Sequence, residues 1–248
     1  MLKYVYLKND NKCDVTMPPE KKYEKLSHKE HIIARPDTYV GKLEPTQEVQ
    51  WIYDEEQKKM IQKMITYSQG EFKIFDEVLV NALDASEEDD SVDAIKVYFS
   101  KEDGCITVYN TGAGIDVSMH EKEKIPIPEL IFGNLLTSSN YDDGVKRTTG
   151  GRNGYGAKLA NVLSSLFKVE IGHPASKKKY KQEFRNNMSE KSEGVYSEYK
   201  KAHGYVKITW WPDYKNIFKH SGGLTDDFLS LITRRVYDAA ACTKKHVN

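Results

Sequence analysis

Residues 72–86, FKIFDEVLVNALDAS, constrain the chain more than any other stretch. Phe72, Ile74, Phe75, Val78, Leu79, Val80, Ala82 and Leu83 recur around a helix almost completely, so the sequence predicts a helix buried on nearly every side. Glu77, Asn81 and Asp84 share that helix, and at ~100° per residue they fall within about 60° of one another. A narrow polar stripe on a buried helix is costly unless something satisfies it. Two readings stand: neighbouring backbone takes its hydrogen bonds, or a ligand does. In the second, a carboxylate accepts a proton from water, and an amide oxygen four residues on ligates a hard cation.

The rest of the chain is arranged around this helix. Residues 1–25 are polar and irregular, with Pro18-Pro19, and read as an arm. A helix over 25–34 is stopped by Arg35-Pro36, and residues 36–70 are mixed, with a strand near 51–53. Residues 94–100 and 105–110 alternate like paired strands joined by a turn at 101–104. Helices are expected at 128–136, 155–166 and 225–241, and strands near 167–172, 180–185 and 205–211. Helices and antiparallel strands in mixed order argue for an α+β layered sandwich.

Two glycine-bearing segments carry possible chemistry. Asn110-Thr111-Gly112-Ala113-Gly114 closes a strand, and its glycines permit close backbone approach or positive φ. Alone, it reads first as a plain turn. The stretch 137–156 is rich in Gly, Ser, Asn and Asp, and long loops in compact domains are usually functional. It ends in Gly150-Gly151-Arg152-Asn153-Gly154-Tyr155-Gly156-Ala157-Lys158, leading into a helix. Four glycines before a helix start make a nest of N–H groups that suits phosphate oxygens, and Lys158 adds a cation. The pattern is not that of a Walker A loop, because Leu159 follows the lysine and no strand directly precedes it.

Composition excludes several classes. The 248 residues are 39% hydrophobic and 30% charged, with formal net charge zero, so nothing marks a strongly basic nucleic-acid binder. Lys177, Lys178 and Lys179 cluster, which reads as a solvated turn. Cys13, Cys105 and Cys242 are far apart and odd in number, which argues against a disulfide framework or zinc site and for a reducing compartment. The histidines show no HExxH or HxxxH spacing, no apolar run is long enough to span a membrane, and the N-terminus lacks the layout of a signal peptide.

The order ExxxN on a helix, N-x-G-x-G, then a long loop ending in GxxGxG before a helix resembles the GHKL (Bergerat) ATPases. That superfamily includes gyrase, a heat-shock chaperone class, histidine kinases and a mismatch-repair protein. EHIIARPDTYVG, WIYDEE, FKIFDEVLVNALD, IPELIFGNLLTSSNYDD and TGGRNGYGAKLANV narrow the resemblance to the eukaryotic type II DNA topoisomerase family, and ITRRVYDAAA resembles the entry to its transducer. The likeness runs from about residue 23 to the end. It implies a layered sandwich of mixed, mostly antiparallel sheet covered by helices, with an arm at 1–25, the ATP-binding domain at 26–212 and the start of a truncated transducer region at 213–248.

The resemblance also implies roles. Glu77 matches the general base that activates water against the γ-phosphate, and Asn81 the ligand of Mg²⁺. Asp84 and Asn110 match positions near base and sugar, and Ile115, Ile131 and Phe132 the apolar walls around adenine. Ser138, Ser139 and Asn140 match lid residues that reach ribose and phosphates. Arg152, Asn153, Gly154, Tyr155, Gly156, Ala157 and Lys158 match the phosphate loop, and Tyr23 an arm tyrosine that reaches the partner subunit's nucleotide. ATP binding would then form a homodimer whose gate captures double-stranded DNA, in a nucleus or in the cytoplasm of a virus-infected cell, with no membrane involved. Ala85 and Glu88 stand where the family commonly has asparagine and arginine, Val206 where it has threonine, and the family's switch lysine is expected beyond residue 248. The alternative is a nucleotide-binding dimerisation module with little turnover.

Overall fold

A computed structural model describes residues 25–135 and 156–247. The chain enters through a short helix, α1 (His28–Ala34), fixed by a reciprocal cap in which the Ser27 hydroxyl accepts from Glu30 N and the Glu30 carboxylate accepts from Ser27 N. A single turn, α2 (Asp37–Val40), follows Pro36. Residues 46–67 form a hairpin of β1 (Thr46–Asp54) and β2 (Lys59–Tyr67). The second of these strands was not expected. Its outward residues Met60 and Met64 are as apolar as its inward Ile61 and Ile65, so the sequence shows no clean alternation.

The central helix is α3 (Gln69–Glu88), longer than the apolar run suggested because Ser68 caps it, accepting from Glu71 N at 3.2 Å. It is not buried on every side. Ile74, Phe75, Val78, Leu79 and Ala82 are buried, whereas Lys73 and Asn81 are exposed and Glu77 and Asp84 half-buried. The polar stripe therefore faces out of the core, which removes the desolvation cost the sequence implied.

The main sheet contains β3 (Ile95–Ser100), β4 (Cys105–Gly112), β5 (Ser164–His173), β6 (Lys178–Arg185), β7 (Glu190–Lys191), β8 (Val195–Glu198) and β9 (Gly204–Pro212). Its order is β3-β4-β9-β5-β6-β7, with β8 also on β6, and its pairs are antiparallel. Register puts Val97, Val108, Ile208, Val169 and Gln182 in one row on the inner face. The helices α3, α4 (Ile127–Gly133) and α5 (Gly156–Val162) lie on that side, and the last helix, α6 (Asp226–Cys242), packs against α3 and the β1–β2 hairpin. Phe228, Leu231, Ile232 and Ala239 of α6 join the same hydrophobic core as the sheet. The helix at 156 stops at Val162, short of the expected 166. The run LANVLSSLF is apolar enough for either a buried helix or a buried strand, and strand pairing claims it from Ser164 onward.

No described helix is long and apolar enough to cross a membrane.

Candidate nucleotide site

A cleft of about 250 Å³ opens between α3 and the inner face of the sheet. That is near the low end of small-molecule pockets, ~300–1,000 Å³. Val78 and Ala82 of α3, Val108 and Ile208 of the sheet, Ile115 and Phe132 make its apolar wall, and Asn81, Glu88, Asp89, Asn110 and Thr111 its polar rim. Phe132 is held there by the carbonyl end of its own residue, which accepts from the buried Asn161 Nδ2 of α5 at 2.9 Å.

The glycines of the 110–114 segment have distinct physical reasons. A Cβ on Gly112 would lie 2.8 Å from both Asp89 Oδ2 and Val92, and one on Gly114, at φ +77, would lie 2.5 Å from the Gly172 carbonyl oxygen. The segment is tied to the end of α3 by Asp89, whose carboxylate accepts from Ser91 Oγ at 2.6 Å, Ala113 N at 2.7 Å and Ser91 N at 2.9 Å. Those bonds, led by the Ser91 hydroxyl, hold it below the usual carboxylate range. Asn110 is buried on β4, and its Nδ2 donates to the Thr111 carbonyl at 2.9 Å.

At one side of the cleft, α5 meets α3. Glu77 is ion-paired with Lys73 one turn earlier. A Cβ on Gly156 would stand 3.2 Å from Glu77 Oε2 and 3.5 Å from both amide atoms of Asn81. A carboxylate, an amide and a backbone without side chain thus converge at the edge of the cleft. Ala157 lines the cleft as well. Lys158, next in the helix, is buried, and burial pushes its pKa down to about 8.

Of the residues singled out in the sequence, Asn81, Asn110, Ile115, Phe132 and Ala157 line the cleft, and Glu77 and Gly156 meet at its edge. Ile131 does not line it: adjacent helical residues point ~100° apart, and Phe132 takes the inward direction while Ile131 is 38% exposed. Asp84 and Lys158 are also absent from the lining, where α3 presents Asn81, Ala85 and Glu88 and α5 presents Ala157. The three positions that depart from the resembled family, Ala85, Glu88 and Val206, all line the cleft. Tyr23, Ser138, Ser139, Asn140, Arg152, Asn153, Gly154 and Tyr155 lie outside the described residues. Asp89 and Lys73 were not anticipated. Asp89 sits in an acidic run that looks like a solvated helix end, and only its position opposite Ala113 distinguishes it.

Among the described residues, no group of three or more His, Cys, Asp or Glu could hold a metal ion. An all-protein cage is therefore absent there. The exposed Asn81 amide fits a magnesium ion that takes most of its ligands from phosphates and water.

Residues 69–217 match the family described as histidine kinase-, DNA gyrase B- and HSP90-like ATPases. The chain is 44% identical over 97% of its length to DNA topoisomerase 2 of Arabidopsis thaliana, and 49% identical over 88% of its length to that of Saccharomyces cerevisiae. It spans 17% and 15% of those relatives. Its fold is similar to the ATPase region of Saccharomyces cerevisiae topoisomerase II, with a TM-score of 0.88 at 47% identity, covering 92% of this chain and 60% of that one. The ATPase and transducer domains of DNA topoisomerase II from Balamuthia mandrillaris match with a TM-score of 0.89 at 39% identity, over 94% of this chain and 60% of that one. The matched segment begins at the first residue of α3 and contains the cleft, its glycine-tied rim and the Glu77–Gly156 contact; the chain belongs to the histidine kinase-, DNA gyrase B- and HSP90-like ATPase family.

Proposed function

We infer that this chain binds ATP in the cleft between α3 and the sheet and hydrolyses it as the ATPase part of a type II DNA topoisomerase. The observation that carries the reading is the convergence of Glu77, Asn81 and the bare backbone of Gly156 at the cleft edge. The apolar wall takes the adenine, with Asn110 and the Asp89-held rim at its polar side. Glu77 orients the attacking water and accepts its proton, and its ion pair with Lys73 holds the carboxylate in place. The missing side chain at Gly156 leaves room for phosphate against Glu77 and Asn81. A magnesium ion, when bound, neutralises phosphate charge, and Asn81 is the residue that would hold it. Phosphoryl transfer needs positioning and charge neutralisation more than covalent chemistry, which suits this sparse set of groups.

In the whole enzyme, ATP binding would dimerise two such domains and drive passage of one DNA duplex through another, in the nucleus. The names of the relatives support this extension. The test is calorimetric titration with a non-hydrolysable ATP analogue and Mg²⁺, followed by steady-state phosphate release. Binding with turnover that Glu77→Gln removes supports the reading. Binding without turnover favours a nucleotide-gated dimerisation module, and absence of binding overturns both.

A further inference from the structure

The sheet's outer face carries no described helix, and its chemistry differs from that of the rest of the chain. Register places Lys96, Tyr109, Lys207, Glu170 and Lys181 in one row across five strands. At ~4.8 Å between strands, the row is about 19 Å wide. All of these but Lys181 border an open groove of about 1150 Å³, together with Lys179 and the loop residues Lys200, which pairs with Glu198 at 3.1 Å, and Lys201. The chain has formal net charge zero, so this concentration of lysine is local.

The acid in the row is already used. Glu170 accepts from Tyr205 Oη at 2.6 Å and pairs with Lys181 at 2.7 Å and Lys179 at 3.1 Å. Lys96, Lys201 and Lys207 are exposed and have no hydrogen bond or ion pair among the described residues. The centre of the face is Thr107 and Thr209, hydroxyl to hydroxyl at 2.9 Å. Tyr109 and Tyr205 stack on each other, centroids 5.5 Å apart at 25°, so each ring covers one face of the other.

We propose that the outer face of the sheet, centred on Lys96, Lys207 and Lys201, is a sequence-independent docking surface for the phosphate backbone of duplex DNA. A duplex presents one negative charge per ~1.7 Å of axis, and the three unpaired ammonium groups of Lys96, Lys201 and Lys207 around the groove match it without reading bases. The surface lies on the opposite face of the sheet from the nucleotide cleft, and its role does not depend on ATP being the ligand there.

The test is fluorescence anisotropy of a labelled mixed-sequence duplex against the 248-residue chain over a salt series. Compared with it are Lys96→Gln/Lys201→Gln/Lys207→Gln and a control, Lys59→Gln/Lys122→Gln/Lys245→Gln, whose lysines lie elsewhere. The parent and the control should bind alike. The first variant should bind about tenfold more weakly at low salt, with the slope of log K against log salt reduced by about 2.7, since each neutralised phosphate contributes ~0.9. Unchanged thermal melting and ATP-analogue affinity in that variant separate this surface from both folding and the nucleotide reading. No binding by the parent, equal loss in the control, or tighter binding of single-stranded DNA or polyglutamate than of the duplex would overturn the proposal.

Discussion

Gly156, the first residue of α5, stands so close to Glu77 of α3 that a methyl group on it would lie 3.2 Å from the Glu77 carboxylate oxygen. Its φ is not in the left-handed region, so alanine costs no backbone strain there, and alanine is the better helix former by ~1 kcal/mol. The methyl meets the movable end of a side chain, which can turn away. Gly156→Ala should therefore melt at or slightly above the parent temperature yet lose ATP turnover by at least about tenfold, because a reorganised base is a poorly placed one. Melting and phosphate release measured on one preparation decide it. Full turnover in the variant would mean that the contact does not matter for chemistry.

Glu77 should separate binding from hydrolysis. Glu77→Gln keeps the shape and removes the basic oxygen, so turnover should fall by about 10²–10⁴ while analogue affinity stays within a few-fold. The variant also frees the Lys73 ammonium from its partner. Stability should change little, because a pair one helical turn apart whose lysine is exposed contributes only ~0.3–0.5 kcal/mol. A variant that retains most of its turnover would remove Glu77 from the base role.

Asn81 makes a metal-dependent prediction. It is exposed at the cleft edge, so Asn81→Ala leaves no buried hole and should fold normally. Its affinity for nucleotide should fall when Mg²⁺ is present and match the parent in EDTA. A similar loss in both conditions would point to direct contact with the nucleotide instead.

The site's legibility in the sequence depended on how much of its order is local. Glu77 and Asn81 are one turn apart on a helix that the apolar run marked plainly, though not with the side that faces out, and the glycines of 110–114 mark a backbone that must come close to something. What they come close to was not legible. Asp89 and Gly172 reach that segment only through the fold, from 24 residues before Ala113 and from a different strand. The hairpin strand β2 was missed because apolar residues occupy both of its faces, and the extent of α5 because a fully buried strand and a buried helix share the same composition. Ile131 and Phe132 were placed together on the cleft wall by resemblance; Phe132 lines the cleft and Ile131 is 38% exposed.

Glu170 predicts an acid-dependent stability. Burial raises its pKa, but the hydrogen bonds from Lys181, Tyr205 and Lys179 outweigh that and bring it from 4.5 down to about 2. A depressed carboxylate stabilises the fold fully above its unfolded value, and that contribution is lost as pH falls through the folded value. With some of the side chain still in solvent, the contribution is on the order of 2 kcal/mol. Urea midpoints of the parent and Glu170→Gln should differ near neutral pH and converge as pH falls below about 4.5. A constant gap down to acid would mean that the side chain acts through packing rather than charge.

Lys158 predicts the opposite kind of pH dependence, in binding rather than stability. It is buried directly after Ala157 of the cleft wall, and desolvation alone lowers its pKa to about 8. If phosphate groups seat against the start of α5, their charge favours the ammonium form and draws a proton back onto this lysine. Analogue affinity should then be flat below pH 8 and decline above it, by up to tenfold per pH unit, until the pKa of the bound state is reached. Binding just above that pH should also take up protons, which calorimetry in buffers of different ionisation enthalpy detects directly. Lys158→Met, similar in length and apolar, should bind more weakly at neutral pH and lose both the decline and the proton uptake. An unchanged pH profile in the methionine variant would show that Lys158 is a packed core residue and that the phosphates find their cation elsewhere.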